Sequence, residues 1–252
     1  MSNDTIDRVA PTRRPSGFHV MKQRWEELLF LHWEVPAQML QELLPPGLTL
    51  DTFDGRAFVG LVPFTMTNVR PRFVPPVPGL SDFHETNVRT YVHYEGGEPG
   101  VWFFSLEAYQ ALAVKIARWT FKLPYHYAVM ELERDMFTQE VRFASERKWP
   151  EPAPAHCRGR YRVTGFIEPA KPRSLEFFLA ERYNLYAWDG TTLSRGRVHH
   201  TPYPLQTAEL ISLDETLLKV AGIDRGTAMP SLVHYASSVD VDVWALESLS
   251  RR

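Results

Sequence analysis

The sequence predicts a β-rich fold of the α+β class, with about ten or more antiparallel strands and roughly two to four helices in one domain. Three observations predict it. Apolar and polar residues alternate over many short segments, which is the period of a strand. Twenty prolines in 252 residues punctuate those segments, and a proline interrupts regular structure because it lacks an N–H donor. Aromatic residues reach 13%, and their broad rings suit a pleated, half-buried surface.

The elements follow in order. Residues 1–20 lack an apolar core and are expected to form a disordered tail, leaving 21–252 as the domain. "WEELLFLHWEV" (25–35) is densely apolar and reads as a strand. In 36–47, Pro36 suits a first helical turn, Leu40, Leu43 and Leu44 form a stripe, and Pro45-Pro46-Gly47 ends the helix. Asp54-Gly55 marks a hairpin within 48–70. The prolines of 70–80 suit a surface loop. "FHETNVRTYVHYE" (83–95) is a strand, and 95–100 is a turn. Residues 105–124 have helical spacing, with Ser105 as cap, Glu107 at the positive end and Pro124 as the stop. Strand-like segments follow from 126, among them "LEFFLAERYNLYAWD", with a second Asp-Gly turn at 189–190. A short helix at 215–223 and a strand at 232–246 complete the chain.

Several function classes lose support. A net charge of −2 gives no basic footprint for nucleic acid. No run of about 18 apolar residues is present, so no membrane span is expected. Cys157 is the one cysteine, which excludes an internal disulfide and points to the reducing cytoplasm. Glycine-rich phosphate loops, zinc-hydrolase histidine pairs and a Gly-x-Ser-x-Gly elbow are missing. His199 and His200 are adjacent, and on a strand they face opposite ways. No cofactor and no metal is therefore expected.

The polar residues that remain stand in apolar surroundings. On 83–95, one face carries Thr86, Val88, Thr90 and Val92, and the other carries Glu85, Asn87, Arg89, Tyr91 and His93. Arg118 lies in the helical segment, and Tyr125, His126 and Tyr127 follow it. A buried carboxylate near a buried guanidinium either ties elements together or holds a carboxylate- or carbonyl-bearing ligand. Spacing leaves both readings open.

At "FHETNVRTYV", "GVWFFSLEA" and "ARWTFKLPYHYAVM", and again at "LLFLHWEVP", "HTPYPLQTAEL" and "LVHYASSVDVDVWAL", the chain resembles the YqjF-like proteins, a bacterial family of uncharacterised function. That family is similar in fold to acetoacetate decarboxylase. The resemblance implies a large cone-shaped β-barrel or curved sheet with a cavity, a packed helix and an oligomeric assembly. It turns the polar face of 83–95 inward as a pocket wall.

The decarboxylase motif reads Glu-Leu-Ser-Ala-Tyr-Pro-Lys-Lys, where one lysine forms a Schiff base and its neighbour depresses its pKa. The comparable "SLEAYQAL" places Ala111 and Leu112 at the two lysines. Lys115 lies one turn further, at about 3.6 residues per turn, and reads as a solvated helix lysine. The fold thus carries over and the Schiff base does not. What is implied is a cofactor-free, lyase-like enzyme for a small keto acid or related carbonyl compound. Glu85 and His93 would titrate, Arg118 would clamp a carboxylate, and Asn87, Arg89, Tyr91 and Tyr125 would bind. The alternatives are a non-catalytic binding protein and a polar network that only pins strands.

Overall fold

Nine strands close into a ring because each finds a partner along both edges, which leaves no open edge in the ring. The computed structural model describes residues 6–150 and 154–249. In chain order the elements are β1 (Met21–Val35), α1 (Ala37–Glu42), β2 (Leu48–Leu50), β3 (Ala57–Pro71), β4 (Phe83–Tyr94), β5 (Gly97–Ala108) and α2 (Ala111–Thr120). They continue with β6 (Tyr125–Arg134), β7 (Glu140–Trp149), β8 (His156–Val163), α3 (Leu175–Ala180), β9 (Asn184–Trp188) and β10 (Leu193–His199). The last are β11 (Leu205–Glu215), α4 (Leu217–Val220), β12 (Leu232–Val243) and β13 (Glu247–Leu249).

The ring runs β5-β6-β7-β8-β11-β12-β1-β3-β4 and closes through the β4–β5 pairing. The expected β-rich barrel is what forms. Its described pairs are antiparallel except β5 with β6 and β5 with β9. The barrel interior is filled by one cluster fed from all nine strands, including Leu31, Leu61, Val88, Phe104, Leu132, Phe143, Tyr161, Leu210 and Tyr235. Burying such side chains stabilises by roughly 1.5–3 kcal/mol each, which is what holds the ring shut.

A second layer covers the outer face of β1, β3 and β4. The β9–β10 hairpin reaches from β5 to β12. With α3 and Tyr203 it packs on Leu28, Phe30, Val62, Phe58 and Tyr91. Strand β4 is consequently buried on both faces from Glu85 to His93. Residues 6–20, expected as a tail, lie against this body. Ile6 is buried, and Arg8 reaches Asp51 with its guanidinium.

Three local readings are corrected. Ser105–Ala108 continue β5, paired with β4 and β6, and the helix begins only at Ala111. Burial on both sides of β5 removes the polar–apolar alternation that marks a strand, so the apolar spacing mimicked a helix. The segment "LEFFLA" is the helix α3, its start capped by Ser174, which accepts from the Phe177 N–H at 3.2 Å. The Asp54-Gly55 turn forms, with φ of 49° and 77°, but only Phe53 and Arg56 pair across it. Strand β2 goes to β4 instead of β3.

Candidate functional site

The two faces of β4 part company. Val88 joins the barrel interior, while Tyr91 packs with Phe178 and Leu179 in the second layer. The polar face that carries Glu85, Asn87, Arg89, Tyr91 and His93 therefore turns away from the barrel interior, into a buried layer. The inward direction expected from the resemblance is corrected on that point, because the second layer supplies a core of its own.

Arg89 is the centre of this face. It is 8% exposed. Its Nη2 donates to the Leu179 carbonyl at 3.2 Å, and its plane lies over Phe30 and Tyr91, at 5.5 and 5.9 Å. Among the described residues no carboxylate forms an ion pair with it, and its buried Nε has no hydrogen-bond partner. Gly60 faces it across the β3–β4 ladder. A Cβ there would lie 3.2 Å from the His32 ring and 3.5 Å from Arg89, so glycine makes the room both side chains occupy.

Tyr91 donates its hydroxyl proton to the same Leu179 carbonyl at 2.8 Å. His32 Nε2 lies 2.6 Å from that hydroxyl and so must be the donor to it. Next along, Arg182 donates to Asp51 at 2.9 Å and to the Phe178 carbonyl at 2.7 Å. Arg8 binds the same carboxylate. Burial alone would raise the Asp51 carboxyl, but Arg182 and Arg8 together hold it below the usual carboxylate range. One carboxylate thus serves two guanidinium groups while Arg89 stands beside them. Glu181, held by the Tyr183 hydroxyl and the Tyr203 N–H, is pushed up by burial. His93 lies in the field of Asp51 and Arg182, and burial lowers its pKa.

At the other end of β4, Glu85 accepts from the Tyr125 hydroxyl at 2.9 Å and from Asn87. Burial pushes its carboxyl up to about 8, Glu107 adds to that, and the two hydrogen bonds oppose it. Glu85 is a neutral acid at pH 7. Arg118 does not clamp this group. Its Nη1 donates to the Tyr125 carbonyl at 2.6 Å and its guanidinium lies 5.8 Å from the Trp149 ring. It also lines a cavity of ≈ 560 Å³ with Trp102, Phe103, Lys122 and Trp188.

The predicted residues therefore separate. Asn87 and Tyr125 gather at Glu85, Tyr91 gathers at Arg89, His93 lies by Asp51 and Arg182, and Arg118 lines a cavity of its own. Glu85 and His93 are eight residues apart on one strand, about 27 Å at ~3.4 Å per residue. They do not share a site. Lys115 is exposed on α2, and the side chain of Leu112 lies outside the described residues.

Sequence reasoning missed Glu107 and His32. Glu107 is buried in the barrel, where Arg147 grips it through Nε at 3.0 Å. A charge embedded in "VWFFSLEA" was the available signal, and the helical reading masked it. His32, inside "LLFLHW", was the one polar residue of an apolar run.

Comparison with known proteins decides the family. The model of the DUF2071 family, described as "Uncharacterized conserved protein", matches residues 22–240. The chain belongs to the DUF2071 family. This DUF2071 protein is 40% identical over 236 residues to "Uncharacterized protein YqjF" of Bacillus subtilis (strain 168), covering 94% of this chain and 95% of that one. Among solved structures it is similar to an acetoacetate decarboxylase-like enzyme from Sphingomonas wittichii RW1, with a TM-score of 0.66 and 13% identity over 92% of this chain and 93% of that one. It is also similar to the enduracididine biosynthesis enzyme MppR complexed with pyruvate, with a TM-score of 0.60 and 14% identity over 94% and 93% of the two chains. The fold expected from the resemblance is the fold observed.

Proposed function

We propose that this DUF2071 protein binds a small carboxylate of the keto-acid or related carbonyl class against Arg89 and acts on it by cofactor-free, lyase-like acid–base chemistry. One observation carries the reading: Arg89 is buried without a carboxylate partner among the described residues. Burying a cation costs several kcal/mol unless an opposite charge answers it (order of magnitude). A guanidinium fork matches a carboxylate with two parallel hydrogen bonds. The pyruvate complex of MppR supports the same ligand class by analogy of fold, which is weaker support than the residues themselves.

Glu85 is a neutral acid near pH 7 on the same face, but four residues of strand put it about 14 Å from Arg89 at ~3.4 Å per residue, so the acid–base part of this reading needs a ligand that spans the two positions. A Schiff base has no part in it, since Ala111 offers no amine and Lys115 sits in solvent. A buried single cysteine supports a reducing, cytoplasmic setting. A second reading, binding without turnover, is favoured by the separation of Glu85 from His93.

Thermal shift with a panel of 2-oxo, 3-oxo and 2-hydroxy acids tests the reading, with proton NMR following turnover. A ligand at a hundred times its Kd adds about 2.7 kcal/mol, a rise of roughly 5–10 °C in Tm for a chain of this size. Arg89→Met is expected to fold, by circular dichroism, and to abolish the shift. A flat wild-type response across the panel overturns the proposal in favour of a structural network.

A further inference from the structure

Strand β5 changes neighbours part-way along one edge. Strand β4 lines the other edge from Gly97 to Ala108, so β9 and β6 share this one. Strand β9 pairs through Val101 and Trp102, and β6 through Leu106, Glu107 and Ala108. Both run parallel to β5, and one leaves before the other arrives. Phe103, Phe104 and Ser105 pair with neither among the described residues. The crevice of ≈ 560 Å³ that Arg118 lines lies at this gap, with Ala187 and Trp188 on the β9 side and Leu123 and Pro124 on the β6 side. Its volume is in the ordinary range of small-molecule sites, roughly 300–1,000 Å³. Where parallel neighbours diverge, the crevice between them is a common ligand position.

The lining is aromatic for a local reason. Ser105 faces Val88 and Phe103 faces Arg89, which leaves Phe104 as an extra residue on β5, a bulge. The bulge breaks the two-residue alternation, and Trp102, Phe103 and Phe104 are all half-buried and all line the crevice. Tyr186 and Trp188 add two rings from β9. The space opens to solvent beside the exposed Lys122 and Asp189. Rings around a concavity favour a flat aromatic guest, because offset and edge-on ring pairs gain more than the area they bury.

Two cations stand at the β6 side of the crevice. Arg118 is half-buried, and the bond from its Nη1 to the Tyr125 carbonyl, at 2.6 Å, anchors the guanidinium at the head of β6. Lys122 is exposed on the segment leading into β6. Among the described residues neither cation has a carboxylate partner. Asp189 is the one acid of the lining, and its Oδ1 already accepts from the Thr191 and Thr192 N–H groups at 3.0 and 2.8 Å. Two positive charges against one negative leave a balance of +1. That balance suits a single carboxylate better than a doubly charged phosphate.

We propose that this crevice is a binding site for an aromatic carboxylate, its planar ring held among Trp102, Phe104 and Trp188 and its carboxylate on Arg118 and Lys122. The guanidinium offers charge-assisted hydrogen bonds to the carboxylate, and the rings supply the apolar surface. Arg89 does not line the crevice. The site therefore stands apart from the keto-acid reading above and does not depend on it.

The test compares 3-phenylpropionate, 3-phenylpropanamide and 3-cyclohexylpropionate by calorimetry and by proton–nitrogen NMR of the tryptophan indoles. Trp102→Phe and Trp188→Phe assign the two indole signals of the crevice. Wild type is expected to bind the aromatic acid about 10-fold or more tighter than its neutral amide, the size of one charge-assisted hydrogen bond. It should bind it roughly 2- to 10-fold tighter than the cyclohexyl acid. The Trp102 and Trp188 signals should both move on binding. Arg118→Met and Lys122→Met should each bring acid and amide closer to equal affinity, and Lys122 is exposed, so its replacement leaves the fold intact. Equal affinity of wild type for acid and amide overturns the inference, as do equal affinity for the phenyl and cyclohexyl acids, unmoved indole signals, or no binding of the aromatic acid. Binding lost in Arg89→Met but kept in both crevice variants moves the acid to Arg89, which overturns the crevice and sustains the carboxylate reading above.

Discussion

At the scale of single residues, Glu85 and Arg89 carry opposite consequences of the same burial. Burial disfavours charge in both. The carboxyl can answer by keeping its proton, whereas the guanidinium stays charged and needs a partner. Glu85 therefore links folding to pH. Its unfolded value is 4.5 and its folded value about 8. Between those values the folded state holds a proton that the unfolded state has lost. Stability contributed by Glu85 is fully present below pH 4.5, declines as pH rises through the window, and is lowest above pH 8. Glu85→Gln keeps the shape and removes the titration. Urea unfolding between pH 5 and 8 is expected to show a decline in wild type of up to roughly 1.4 kcal/mol per pH unit from this group, and a flatter profile in the variant. Identical slopes would show that Glu85 ionises in the folded protein near its ordinary value.

At the scale of elements, α3 is the piece that organises the Arg89 cluster. It has six residues, too short to be stable alone. It persists because Phe177, Phe178 and Leu179 are buried and Ser174 satisfies its first turn. In return it presents the Leu179 carbonyl to Arg89 and Tyr91 and the Phe178 carbonyl to Arg182. Ser174→Ala is expected to cost about 1 kcal/mol, the ordinary worth of an N-cap, measured as a shift in the denaturation midpoint. The same helix was legible as apolar but not as helical. "LEFFLAERYNLYAWD" holds a helix and a strand in one run, and burial all round leaves no periodicity to tell them apart. Strand β4 shows the converse. Its alternation predicted the strand and both faces, yet said nothing about which face met the barrel.

At the scale of the molecule, the N-terminal segment closes the layer around Arg182. Arg8 completes the coordination of Asp51 and lies 5.3 Å from the Phe178 ring. Removing residues 1–20 strips one guanidinium from a fully buried carboxylate. A hydrogen bond to a charged group is worth about 1.5–3 kcal/mol. The truncated chain is expected to melt several degrees lower by calorimetry. An unchanged Tm would mean that the segment behaves as the tail its composition suggests.

The sequence by itself determined the β-rich class, the strand carrying the candidate residues, the family likeness and the loss of the lysine pair. Each is a local property: side-chain alternation, proline and glycine placement, or residue identity at a motif. Only the tertiary structure decided that the polar face of β4 lies in a second layer, that Glu85 and His93 stand at opposite ends, and that Arg89 is buried without a carboxylate partner among the described residues. Those facts depend on partners distant in sequence, from β1 to β10 and the turn after it. Burial and pairing are set by which strands become neighbours, and a polar residue looks the same in sequence whether its partner is present or missing.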